Sequence, residues 1–201
     1  MGLDLAEDRR LQLVPGRECG ECTVCCSLLT IDTPEFQKMP RTPCTHLGPG
    51  GKGCAIHATV YPVCRAYHCA WRYLQVLGEE WRPDKSGILT EFQNEGFPAN
   101  YPSRPGLRIT ITGPLETVFE PGFAALLIGL IRAGVPIALS IPGPVGHYPA
   151  GAFINDALKE AVAAKDSARI VAGLREILRG LEGHVYNPVA LRHGPASQSP
   201  A

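Results

Sequence analysis

Outside one short stretch, the 201-residue sequence has no cysteine at all. It also has no surplus of charge, because 19 lysines and arginines balance 19 aspartates and glutamates. A polyanionic partner is therefore not indicated, since nucleic-acid binders concentrate basic residues. Long apolar runs are missing too. The longest, Phe123 to Ile131, is about half of what a membrane-spanning helix needs. Residues 1–10 show no apolar core followed by a small-residue cleavage site, and Ala6 breaks the myristoylation pattern that Gly2 would open. These absences lead to the expectation of a cytoplasmic protein with no membrane and no nucleic-acid partner. No Gly-x-Ser-x-Gly, His-Glu-x-x-His or dinucleotide fingerprint occurs. Gly48-Pro-Gly-Gly-Lys-Gly53 lacks the spacing and the hydroxyl of a phosphate loop and reads as a hairpin.

What is present is concentrated. All eight cysteines lie between Cys19 and Cys69: Cys19, Cys22, Cys25, Cys26, Cys44, Cys54, Cys64 and Cys69. Burial alone would scatter thiols through a core rather than gather them. A reducing compartment argues against four disulfides, which leaves metal ligation ahead of redox or inert thiols. Soft thiolate sulfur selects zinc, copper(I) or iron–sulfur centres. Cys19-x2-Cys22-x2-Cys25 has the step of a cubane-binding loop, with a fourth ligand supplied from elsewhere. Wound on a straight helix these three would rise about 9 Å, so a loop wrapped around the metal is expected.

Adjacent Cys25 and Cys26 diverge by about 100° in a helix, so they face different ways. Eight thiolates suffice for two four-sulfur centres, one near Cys19 and Cys22 and another, or an extension of the first, involving Cys44, Cys54, Cys64 and Cys69; the spacing does not say which cysteine joins which. The three-step ladder stands alone instead of forming two separated knuckles, which favours an iron–sulfur cluster over zinc. His46, His57 and His68 lie among the cysteines but are superfluous as ligands once eight thiolates are counted. Arg65 and Arg72 are candidate donors to sulfur. Tyr61, Tyr67, Trp71 and Trp81 read as the core of the small module, and His147 reads as a plain loop histidine.

Prolines 34, 40, 43 and 49 and four glycines between 48 and 53 forbid a long helix before about Val60. The pattern predicts a short helix or loose lead-in over 1–16, a helix from Tyr67 to near Gly78, and a strand over Ile88–Phe92. Leu107, Ile109 and Ile111 alternate with polar residues as a half-buried strand does. A helix is predicted over Phe123–Arg132, opened by Pro121-Gly122 and closed by Gly134. Val135–Ile141 then reads as a strand at an edge or with Pro136 at its start, giving a crossover unit if parallel to the preceding strand. Helices are predicted over Ala152–Ala164 and over Ala168–Leu181 behind Asp166 or Ser167.

The blocks Cys19-x2-Cys22-x2-Cys25-Cys26, Cys44-Thr-His-Leu47, Gly53-Cys54-Ala-Ile56 and Cys64-Arg-x-Tyr-x-Cys69, followed by Arg82-Pro-Asp-Lys-Ser-Gly87, resemble the bacterial CxxCxxCC family of zinc- or iron-chelating cysteine-cluster proteins. The resemblance covers about residues 17–92 and implies chelation by all eight matched cysteines. The sequence departs from the family between Cys54 and Cys64. There, His57 and Val60-Tyr-Pro62 stand where the family carries a Tyr and an Arg-Pro, so a role depending on that arginine is not implied.

Together these readings give an α+β protein. An irregular cysteine-rich metal-binding module over 17–92 is packed on a small α/β half over 93–193, with a disordered tail over 194–201. The expected cofactor is an iron–sulfur cluster or zinc, serving electron transfer or the fold. The alternatives are a zinc-stabilised module that binds a protein partner, and an enzyme whose site lies between the cluster and the C-terminal half, around Gly143–Pro149.

Overall fold

Alternating side chains point to opposite faces of a strand, so the Leu107-Ile109-Ile111 row must find apolar cover on one side. A computed structural model, which describes residues 12–101 and 105–192, shows how it does. Strands β3 (Ile88–Gln93), β4 (Gly106–Ile111), β5 (Ile137–Ile141) and β6 (Ala150–Phe153) form a four-stranded sheet in that order. The β3–β4 and β5–β6 pairs are antiparallel, and β4–β5 is parallel. Helix α4 (Pro121–Arg132) supplies the long connection that a parallel pair requires. Helices α5 (Asn155–Ala163) and α6 (Ser167–Leu181) follow the sheet and pack against α4 and each other.

The register assigns the faces. Thr90, Ile109, Leu139 and Ala152 lie in one cross-strand row, and Ile109 and Leu139 are buried in one cluster with Phe123, Leu127, Leu158, Ile170 and Leu174. The other face carries two rows, Leu89-Thr110-Ser140-Gly151 and Glu91-Arg108-Ala138-Phe153. The helices cover the first face and leave the second to other parts of the chain. The chain is therefore of the α+β class.

Several expectations hold. Gly134 takes φ +76° behind α4, which only a residue without a β-carbon adopts at little cost. The Asp166 carboxylate accepts from the Arg169 backbone N–H at 3.0 Å and caps α6. Pro136 sits just before β5, where its missing N–H is not needed, and its carbonyl accepts from Leu107 N–H at 2.8 Å. β5 itself is an interior strand, not an edge one.

Two expectations are corrected. Residues 150–153 are strand, and the helix starts only at Asn155. The Asn155 side chain, 2% exposed, fixes this start: its Oδ1 accepts from Ile137 N–H at 2.7 Å and its Nδ2 donates to the Val135 carbonyl at 2.8 Å. The helix expected from Tyr67 to Gly78 is absent. In its place stand 3₁₀ turns at Ala70–Arg72 and Glu79–Trp81. The Arg17 guanidinium donates to the carbonyls of Trp71, Leu74 and Leu77 and stacks on the Trp71 ring at 5.0 Å. A helix would have turned those carbonyls along its own axis. Trp71, Leu74 and Leu77 are still buried, in the same cluster as the sheet and helices.

The cysteine segment contains a five-residue helix α1 (Val24–Leu28), a two-stranded hairpin of β1 (Ile31–Asp32) and β2 (Gln37–Lys38), and short helices α2 (Pro62–Ala66) and α3 (Pro83–Ser86). It packs on the β3 edge of the sheet. Of the expected lead-in, residues 1–11 lie outside the described residues, as does the tail over 194–201. Among the described residues no helix is long and apolar enough to cross a membrane.

Candidate metal centre

Local backbone bonds bring the separated cysteines towards one another. The Cys22 N–H donates to Cys19 O at 2.9 Å, closing a turn at Gly20, which has φ +53°. One helical step later Cys25 and Cys26 share α1. The Cys44 N–H donates to Cys26 O at 3.1 Å, and Leu47 bridges to Cys54. The hairpin expected at Gly48–Gly53 is thus what carries Cys54 back to Cys44, with Gly48 N–H donating to Gly53 O at 3.1 Å. Cys64 rides on α2, whose entry residue Tyr61 stacks flat on Phe36 with ring centroids 4.7 Å apart. Cys69 follows in extended backbone.

The eight thiols fall into two neighbourhoods. Cys19, Cys22, Cys25 and Cys69 line one cavity of about 30 Å³, walled by Tyr67, Trp71 and Leu89. Cys64 lies within electrostatic reach of Cys26, Cys44 and Cys54, and the buried Lys38 ammonium faces the same group. Cys25 and Cys26 hydrogen-bond to each other where the two neighbourhoods touch, which holds the Cys25 thiol above its usual range and Cys26 below it. Burial pushes Cys22 and Cys64 up, and Cys69 up to about 11. All eight are free thiols. Among the described residues, no group of three or more His, Cys, Asp or Glu side chains stands in metal-binding geometry. The donor chemistry fits soft-metal ligation, and the gathering is in fours; the sulfur positions are not those of a closed coordination shell.

Around the first neighbourhood, Arg72 Nη1 donates to Cys19 Sγ at 3.8 Å, as the sequence suggested for this residue. Arg65 instead donates to the Ala58 carbonyl at 3.4 Å. Asp84, held below the usual carboxylate range by a bidentate bond from Arg82 at 2.6 and 2.7 Å, also touches Cys22. His68 borders the cavity and pairs with the Tyr73 hydroxyl at 3.5 Å. In the second neighbourhood the His46 backbone N–H donates to Cys44 Sγ at 3.4 Å, while its ring meets Tyr61. His147 is half-buried within the 143–149 loop, which Arg41 ties to the cysteine segment by donating to the Gly143 carbonyl at 2.9 Å.

Sequence reasoning missed Lys38, which is 5% exposed and donates to the carbonyls of Met39 and Thr42 at 3.2 and 2.8 Å. A lysine in a two-residue strand carries no signal of burial. It also missed the pairing of Tyr67 with Glu91 described below, because the two are 24 residues apart.

Fold and site define an α+β protein with eight free thiols in a segment packed on the β3 edge of its sheet. No family model, no curated protein and no solved structure matches the chain. The likeness to the CxxCxxCC family rests on the sequence blocks alone.

Proposed function

We propose that the chain is a metal-chelating cysteine-cluster protein with two thiolate centres. Cys19, Cys22, Cys25 and Cys69 would hold one, and Cys26, Cys44, Cys54 and Cys64 the other. The observation that carries the reading is the sorting of eight unpaired thiols into two sets of four, divided between adjacent Cys25 and Cys26. Iron–sulfur centres are the proposed occupants, supplying one-electron transfer or holding the loop in shape. The chain's own contribution is electrostatic and steric. Arg72 donates towards Cys19 sulfur, the Lys38 ammonium offsets thiolate charge, and Tyr67, Trp71 and Leu89 keep water from the first set.

A second reading, a zinc-stabilised protein-binding module, is favoured by the size of the first cavity. The first cavity is small, about 30 Å³. That suits a single ion better than a cubane. Anaerobic purification followed by metal and acid-labile sulfide analysis separates the two. Stoichiometric iron with sulfide supports the first reading, and colourless protein with zinc supports the second. Metal-free protein that keeps its fold, or thiols joined as four stable bridges, would sink both.

A further inference from the structure

The helix-free face of the sheet holds a second concavity away from the thiols. It measures about 180 Å³ and is lined by Gln93, Arg108, Ala138, Ser140, Gly151 and Phe153 among others. That is room for a ligand of several heavy atoms. The strands put these residues there by register: Arg108, Ala138 and Phe153 form one cross-strand row, and Ser140 and Gly151 part of the next.

Two groups at this cavity have bonding capacity left over. Arg108 Nε donates to Gln93 Oε1 at 2.8 Å, which fixes the plane of the guanidinium. No acceptor among the described residues takes a hydrogen bond from its two terminal nitrogens. Ser140 is 2% exposed, and its hydroxyl has no hydrogen-bond partner among the described residues. Burying a hydroxyl without a partner is unfavourable, so such a group calls for a bound acceptor or donor. On the same face, Phe153 offers an apolar wall braced edge-on by Tyr101 at 4.6 Å and Phe97 at 6.1 Å. The facing charges are Arg108 itself and its cross-strand neighbour Glu91, whose carboxyl is engaged by Tyr67.

We propose that this cavity binds a small organic anion, with its oxyanion taken by the Arg108 fork and the Ser140 hydroxyl and its apolar body laid against Phe153. A planar guanidinium with both terminal NH2 groups free matches carboxylate and phosphate oxygens in pairs. The inference does not depend on what the cysteines hold.

Calorimetric titration of the full chain as isolated, with benzoate, phenyl phosphate and inorganic phosphate, tests it. One saturable site per chain is expected for at least one aromatic anion, weaker for inorganic phosphate, and the tighter of benzoate and phenyl phosphate names the headgroup. Arg108→Met should weaken that binding about tenfold or more, and Ser140→Ala several-fold. Arg179→Ala, on the exposed face of α6, should leave it unchanged. If Arg108→Met does not fold, Ser140→Ala and the amide shift of Gly151 on titration decide. Absence of saturable binding by all three probes, or binding indifferent to the folded variants, overturns the proposal.

Discussion

Tyr67 donates its phenolic hydroxyl to Glu91 Oε1 at 3.0 Å, a bond from the cysteine loop to the helix-free face of the sheet. Both groups are displaced upwards in pKa. Burial is the main cause for each, joined at Tyr67 by the negative charge of Glu91 and opposed at Glu91 by the Tyr67 bond and by Arg108. The cysteine segment is thus joined to the sheet through a carboxyl whose pKa burial holds above the usual carboxylate range.

A pH dependence follows. The folded pKa of Glu91 lies above its unfolded value, so the folded state binds the proton more tightly. Stability from this group is fully present below the unfolded value and is lost as pH rises through the folded one. Urea unfolding at a series of pH values should show the wild type losing stability over that window, and Glu91→Gln should flatten the change. An unchanged profile in the variant would show that Glu91 is not the group responsible.

The sorting of thiols makes a stoichiometric prediction. Cys25→Ser and Cys26→Ser alter neighbouring residues of one five-residue helix, yet each should empty a different centre. Native mass spectrometry of anaerobically purified protein should find each variant short of one centre while keeping the other. Loss of all metal in both variants would indicate one shared centre instead.

Asn155 ties the start of α5 to the start of β5 through two buried bonds. Asn155→Ala would orphan the Ile137 N–H and the Val135 carbonyl in the interior, at about 1–3 kcal/mol for each buried group left unpaired. A loss of about 3 kcal/mol is expected by denaturant unfolding. Asn155→Asp keeps the acceptor but sets a buried carboxylate against the Val135 carbonyl, so it should cost at least as much as the alanine variant.

Arg17→Ala removes three bonds to carbonyls and the stack on Trp71. The expected cost is about 1.5–3 kcal/mol, the range for a hydrogen bond to a charged group. It should register as faster amide exchange over 71–77 with the central strands unaffected. Arg17→Lys should not restore protection, because an ammonium lacks the fork that reaches several carbonyls at once.

Where local pattern and packing agree, the fold was legible in the sequence. The alternation in β4 and the apolar stripe of α6 each have one arrangement that buries their leucines and isoleucines. The Tyr67–Gly78 helix was misread because its carbonyls are taken by Arg17, more than 50 residues earlier in the chain. β6, Ala-Gly-Ala-Phe, has little strand propensity of its own and is made a strand by pairing with β5. The hairpin of β1 and β2 is two residues deep and has no period to detect. At the site, the cysteines announced themselves as a group, but their division into fours depends on backbone bonds such as Cys44 to Cys26. Lys38 and the Arg108–Ser140 cavity are products of the folded register and leave no mark in the linear chain.

The sheet begins at Ile88, after the last cysteine at 69, and closes only with Phe153. A growing polypeptide therefore presents all its sulfur to the surroundings well before Leu89 and Glu91 have a finished wall to sit in. At about 5–20 residues per second that interval lasts several seconds. During it the nascent thiols stand open to oxidants and to competing ions alike, so under the proposed chelation the timing of loading relative to translation would become part of how this molecule matures.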